Sequence, residues 1–99
     1  MDAIPTEPQS PVKLKNDVVY EGEWSTSGVI HGKGIAIYPD GRIYEGSWKD
    51  GVKSGKGRLV YANGDYYDGD WLNDLMDGHG KLFEKSSGVI YEGWWVKGV

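Results

Sequence analysis

Two histidines, His31 and His79, and the aspartates Asp65, Asp68, Asp70, Asp74 and Asp77 are the side chains of this 99-residue chain best suited by type to hold a metal ion. Their spacing does not suit the task. The histidines lie far apart with no cysteine to assist them, and zinc sites draw their ligands from closely spaced pairs. The aspartates lack the ligand order and flanking helices of a calcium-binding loop. Glu21 and Glu23 share one face of a strand and could pair as acid and base. An open sheet without a pocket would not drive their pKa values apart, so they read as a charge stripe. Gly51-Val52-Lys53-Ser54-Gly55-Lys56-Gly57 resembles a phosphate loop only faintly. It is one residue short between glycines, has no Ser or Thr after the lysine and precedes no helix. Catalysis, metal and cofactor all go unsupported, and the sequence is read as non-enzymatic.

The elements that hold these residues are set by a repeat. Tyr-x-Gly-x-Trp occurs at Tyr20–Trp24, Tyr44–Trp48, Tyr67–Trp71 and Tyr91–Trp95, with starts 24, 23 and 24 residues apart. A unit of this size buries its apolar surface mainly against its neighbours. After each of the first three signatures come a polar segment, a Gly-x-Gly pair (Gly32 and Gly34, Gly55 and Gly57, Gly78 and Gly80), a short apolar run and a turn. Two of those turns, Pro39-Asp40-Gly41 and Ala62-Asn63-Gly64, carry the Asp-Gly or Asn-Gly pair that supplies positive φ. Each unit is therefore a β-hairpin. The small length differences, one residue before Gly34 and one before Gly88, fall in loops or turns, which tolerate them. Sixteen glycines, all between Gly22 and Gly98, rule against helix.

Alternation assigns the faces. In each signature Tyr, Gly and Trp point one way, while Glu21, Glu23, Glu45, Ser47, Asp68, Asp70 and Glu92 point the other. The central glycine leaves bare backbone over which rings of neighbouring strands can lie. The Gly-x-Gly pairs are expected to do the same or to let the sheet bend. With 7 Tyr and 5 Trp against 1 Phe, the chain buries amphipathic rings rather than aliphatics, which suits a thin sheet.

Residues 1–17 read as a flexible arm, with Pro5, Pro8 and Pro11 at intervals of three, and residues 18–99 as the repeat array. The arm also has the form of a ligand for a proline-reading groove, beside the plainer reading of a solubilising tail. The net charge of −4 argues against nucleic acid and disfavours anionic membranes, both of which require a basic surface. Lys49, Lys53, Lys56 and Arg58 form the one candidate basic stripe; its blander reading is a solvated loop. No apolar run has the length of a signal or membrane-spanning segment, and zero cysteines are compatible with a reducing compartment. The expected location is the cytoplasm.

These residues resemble the MORN (membrane occupation and recognition nexus) repeat family. Its unit opens with Tyr-x-Gly-x-Trp, continues through His-Gly-x-Gly and ends in an Asp-Gly or Asn-Gly turn. The unit from Tyr44 is the closest full match, although Ser54 stands where the first unit has His31. Three full repeats are followed by a partial fourth. The resemblance implies an all-β fold, an elongated single-layer antiparallel sheet of consecutive hairpins. It implies scaffolding or adaptor work in cytoskeletal, ciliary or axonemal assemblies, or alternatively membrane attachment through phosphoinositides. It brings no catalytic residues. What carries over is an aromatic ladder of Tyr20, Trp24, Tyr44, Trp48, Tyr67, Trp71, Tyr91 and Trp95. These rings serve either to hold the sheet together or to grip a partner peptide. Trp94 stands where other units have an acidic residue or Ser, so the last strand is apolar on both faces. That strand is expected to meet a protein partner or a second copy of the chain.

Overall fold

A strand that alternates aromatic with acidic residues, followed by a strand whose glycines leave bare backbone for rings to lie on, buries those rings by pairing antiparallel with its neighbours. The computed structural model, which describes residues 11–98, has this arrangement. Eight strands, β1 (Val12–Lys13), β2 (Val19–Trp24), β3 (Ile30–Ile37), β4 (Ile43–Lys49), β5 (Val52–Val60), β6 (Tyr66–Leu72), β7 (Leu75–Glu84) and β8 (Val89–Trp95), form one antiparallel sheet in chain order. Among the described residues there is no helix, and the sheet is elongated, 42 × 27 × 20 Å.

Register is set by glycine. Gly22, Gly34, Gly46, Gly57, Gly69, Gly80 and Gly93 stand opposite one another from β2 to β8, forming a bare row across the sheet. The pairs β2–β3, β4–β5 and β6–β7 each carry a bulge beyond this row. Glu23, Ser47 and Asp70 each face three residues, and Gly32, Gly55 and Gly78 sit in those bulges with φ of 97°, 93° and 109°. The excess is two residues, an even number, so the facing alternation survives and Ile30, Lys53 and Met76 return to the aromatic face. The two glycines of each Gly-x-Gly pair thus do different work. The first bends the strand and the second accepts a ring.

The turns follow their chemistry. Asp50-Gly51 and Asn73-Asp74 connect strands with two residues, both at positive φ, the backbone that matches strand twist. Tyr38–Arg42 and Tyr61–Asp65 close longer turns with Gly41 and Gly64 at φ 95°. The hairpin tips are tied in series. Gly51 N donates to Ile30 O (2.9 Å), Asp74 N to Lys53 O (3.1 Å) and Gly98 N to Met76 O (2.7 Å). Lys97 and Gly98, at φ 49° and 88°, repeat the turn of Asp50 and Gly51, at 51° and 86°.

The sheet begins before the expected boundary at residue 18. Val12 pairs with Tyr20 and Lys13 with Val19, and Leu14 packs on the core. The apolar Val12 and Leu14, two apart, place both side chains on the aromatic face, which is why this part of the arm joins the sheet. Pro5 and Pro8 lie outside the described residues.

Candidate functional site

The aromatic ladder forms the core of this one-layer sheet. Tyr20, Tyr44 and Tyr67 are 0% exposed, and each ring lies on the second glycine of the following strand, Gly34, Gly57 and Gly80 respectively. Each hydroxyl donates to the carbonyl three residues on: to Glu23 O at 2.7 Å, Ser47 O at 2.8 Å and Asp70 O at 3.1 Å. The tryptophans reach the other way. Trp48, Trp71 and Trp95 donate their indole N–H to Gly34 O, Gly57 O and Gly80 O at 3.0–3.1 Å. The rings meet edge to face in one unbroken series, Trp24–Tyr20–Trp48–Tyr44–Trp71–Tyr67–Trp95, at centroid distances of 4.9–5.7 Å. Each such contact contributes roughly 0.5–1.5 kcal/mol beyond burial. Burial pushes the hydroxyl pKa of Tyr20 and Tyr67 up to about 12 and raises that of Tyr44 further.

The nine aromatic candidates therefore separate by position. Tyr20, Tyr44, Tyr67, Trp48 and Trp71 are buried and offer a partner no free edge, while Trp24 and Trp95 are half-buried at the two ends. Tyr91 and Trp94, on β8, are 48% and 80% exposed. The difference has one cause. Each of the inner tyrosines is covered by a following strand, and among the described residues none follows β8. Ile90, Val89 and Val96 extend this exposed apolar edge. On the outer face, Trp94 meets the ring of His79 at 5.4 Å.

The residues first weighed for chemistry are engaged elsewhere. Asp68 pairs with Arg58 (2.8 Å), Asp70 with Lys56 (2.5 Å), and Asp65 accepts from Lys85 N (2.9 Å). The hydrogen bond from Lys56 holds the Asp70 carboxyl below its ordinary pKa. His31 Nδ1 accepts from Asp50 N. Among the described residues no three His, Asp or Glu side chains gather as metal ligands. The supposed basic stripe lies on β5, apart from Lys49 at the end of β4, rather than in a loop. Of its members Lys56 and Arg58 are paired and Lys53 turns inward.

Lys53 is the residue that sequence reasoning misplaced. It is only 9% exposed, its ammonium lies 5.3–5.9 Å from the ring centres of Tyr38, Tyr44, Trp48 and Trp71, and Asp74 Oδ1 stands 3.6 Å away. The signal existed: neighbouring units place Ile30 and Met76 at this position. An ammonium among rings is held by their faces and by its carboxylate, at a cost in desolvation. Lys53→Met is accordingly expected to match or exceed the wild type in stability. Asp74→Asn, which keeps the turn and the bond from Lys53 N (2.7 Å) but removes the charge, is expected to cost about 1–2 kcal/mol. Urea unfolding of both variants reads the order; a Lys53→Met variant less stable than Asp74→Asn would refute it.

The MORN repeat profile matches residues 20–41, 44–66 and 67–85, well over half of the chain. The chain belongs to the MORN repeat family. Alsin from rat and from human is 40% identical to it over 37 residues. That match covers 37% of this chain and 2% of Alsin, so the MORN chain spans a very small part of its curated relatives. MORN repeats mark a protein-interaction or membrane-binding module.

Proposed function

We propose that this MORN chain is a non-enzymatic protein-interaction module, a scaffold or adaptor unit that joins other polypeptides through the β8 edge. The observation that carries this reading is Trp94, 80% exposed on an open strand whose other face shows Tyr91 to solvent. Exposed aromatics in one place are the usual anchors of an interface, and an unpaired strand edge is a template for further pairing. The cytoplasm is the compartment we assign to it. A cytoskeletal or ciliary assembly is the setting that the family suggests.

Membrane attachment receives less support. Of the β5 cations, Lys56 and Arg58 are paired with Asp70 and Asp68 and Lys53 faces inward, so this stripe offers phosphoinositides no free cationic cluster, and the net charge is −4.

Affinity capture of the tagged chain from its native cell, at physiological salt, tests the proposal. Trp94→Ser is expected to leave the fold intact, because that side chain touches little besides His79, and to lose the stoichiometric co-purifying proteins. The same protein set recovered with Trp94→Ser and with the wild type would overturn the choice of site.

A further inference from the structure

The glycine row contains one member that nothing among the described residues requires. At Gly22, Gly46 and Gly69, an added Cβ would collide with the backbone of the next strand and lie 2.7–2.9 Å from a tyrosine hydroxyl. At Gly93 it would meet nothing within 4 Å. Yet Gly93 occupies the same place in its unit, opposite Gly80, as Gly69 does opposite Gly57. Its φ is not positive, so the backbone does not demand glycine either. Tyr91 stands in the same position: it has the place of Tyr67 but no glycine to lie on. Both residues are shaped for a strand beyond β8.

The form of that strand can be read from β7 as it lies on β6. There Gly80 faces Gly69, Leu82 faces Tyr67, Lys81 faces Asp68 and Phe83 faces Tyr66. On β8 the corresponding residues are Gly93, Tyr91, Glu92 and Ile90. The occupant must therefore carry glycine opposite Gly93, a small or aliphatic side chain opposite Tyr91 and a basic residue opposite Glu92. Trp94, in place of the carboxylates Glu23 and Asp70 that accept the next strand's N–H (Lys33 and His79), adds an apolar contact on the outer face.

The described residues of a second copy do not supply this strand. Its amino-terminal edge is β1, where Val12 meets Tyr20 as Leu82 meets Tyr67, but the next residue is Pro11, which has neither the charge of Lys81 nor an N–H and so stops the ladder. Its β8 would bring a second Tyr91. In a symmetric pairing about Gly93, both hydroxyls would have to occupy the space above one glycine pair. Each inner tyrosine fills that space alone.

We propose that the β8 edge is a strand-acceptor site for a Gly-x-Gly-bearing strand, taken up in the register of β7 on β6. This rests on β8 being the contact edge and adds the identity of its occupant. The recognition is β-augmentation: main-chain bonds give affinity and the glycine socket under Tyr91 gives selectivity.

A synthetic peptide with the sequence of Leu75–Glu84 serves as the probe, titrated into the whole chain by calorimetry and by tryptophan fluorescence. Saturable binding is expected. Gly80→Ala in the peptide, or Gly93→Ala or Tyr91→Ala in the chain, is expected to weaken it at least tenfold. Gly93→Ala should leave the unfolding curve of the free chain unmoved, which separates lost binding from lost folding. Absence of binding, or binding indifferent to both glycines, would overturn the proposal. So would a wild-type dimer by light scattering that Gly93→Ala dissociates, since the occupant would then be a second copy. If the peptide fails while Trp94→Ser still strips the captured partners, the edge stands as the interface and only the strand proposal falls.

Discussion

Gly57→Ala will abolish the cooperative fold at ambient temperature or bring it close to doing so. An added Cβ at Gly57 would sit 2.5 Å from carbons of the Tyr44 ring and closer still to its hydroxyl. The ring cannot retreat. It is 0% exposed, touches Trp48 at 4.9 Å and Trp71 at 5.4 Å, and its hydroxyl is tied to Ser47 O. Gly57 has no positive φ, so alanine fits the backbone and the whole cost is the displaced ring. Overpacking alone costs about 1–3 kcal/mol. Loss of two aromatic contacts and of the hydroxyl bond adds about 1.5–4.5 kcal/mol more. A small domain has on the order of 5–15 kcal/mol in all, and a thin sheet belongs at the low end. Urea unfolding followed by tryptophan fluorescence, beside Gly93→Ala as the matched control, measures the difference. Equal stability of the two variants would show that the rings are not what holds the sheet.

The hairpins, their order and the division into an aromatic and an acidic face were all legible from Tyr-x-Gly-x-Trp and the turn residues. Such local periodicities leave few other solutions. The separate roles within Gly-x-Gly were not legible. Whether Gly55 or Gly57 bends the strand depends on the excess of two residues across the β4–β5 bulge, a property of pairing rather than of either strand. Lys53 was hidden for the same reason. By type it groups with Lys56 and Arg58, and the glycines between them hide the alternation that sets it on the face of Gly57 and Leu59; only the pairing with Trp48 beyond the bulge shows that this end of β5 stays in the sheet.

The site was half legible. Trp94 stood out because it breaks the acidic alternation, and Tyr91 because it belongs to the last signature. That Tyr20, Tyr44 and Tyr67 have no accessible edge follows from how far each ring reaches over the next strand. Pattern alone does not give that reach. The contribution of Val12 and Leu14 to the sheet was masked by the proline-rich composition around them. Their spacing of two was the available signal.

Alkaline pH supplies the second large effect, because the ladder depends on three tyrosines remaining protonated. In the unfolded chain a tyrosine ionises near its ordinary pKa of 10.0, whereas burial carries Tyr20 and Tyr67 to about 12 in the fold and raises Tyr44 further. A raised acid pKa means that the folded state binds the proton more tightly. The stabilisation is therefore complete below pH 10 and is lost as pH rises from 10 toward and beyond 12. Each tyrosine contributes a slope of about 1.4 kcal/mol per pH unit in that window, so three give about 4 kcal/mol per unit. Urea midpoints are expected to be nearly flat across neutral pH and then to fall steeply above pH 10. Unfolding should release protons that appear together as tyrosinate absorbance. Tyr44→Phe keeps the ring over Gly57 while removing one ionisable group, and should reduce the alkaline slope by about a third, whatever it costs at neutral pH. An unchanged slope in that variant, or tyrosinate absorbance that rises without any loss of tryptophan packing, would mean that the rings ionise in place and that the ladder does not depend on their burial.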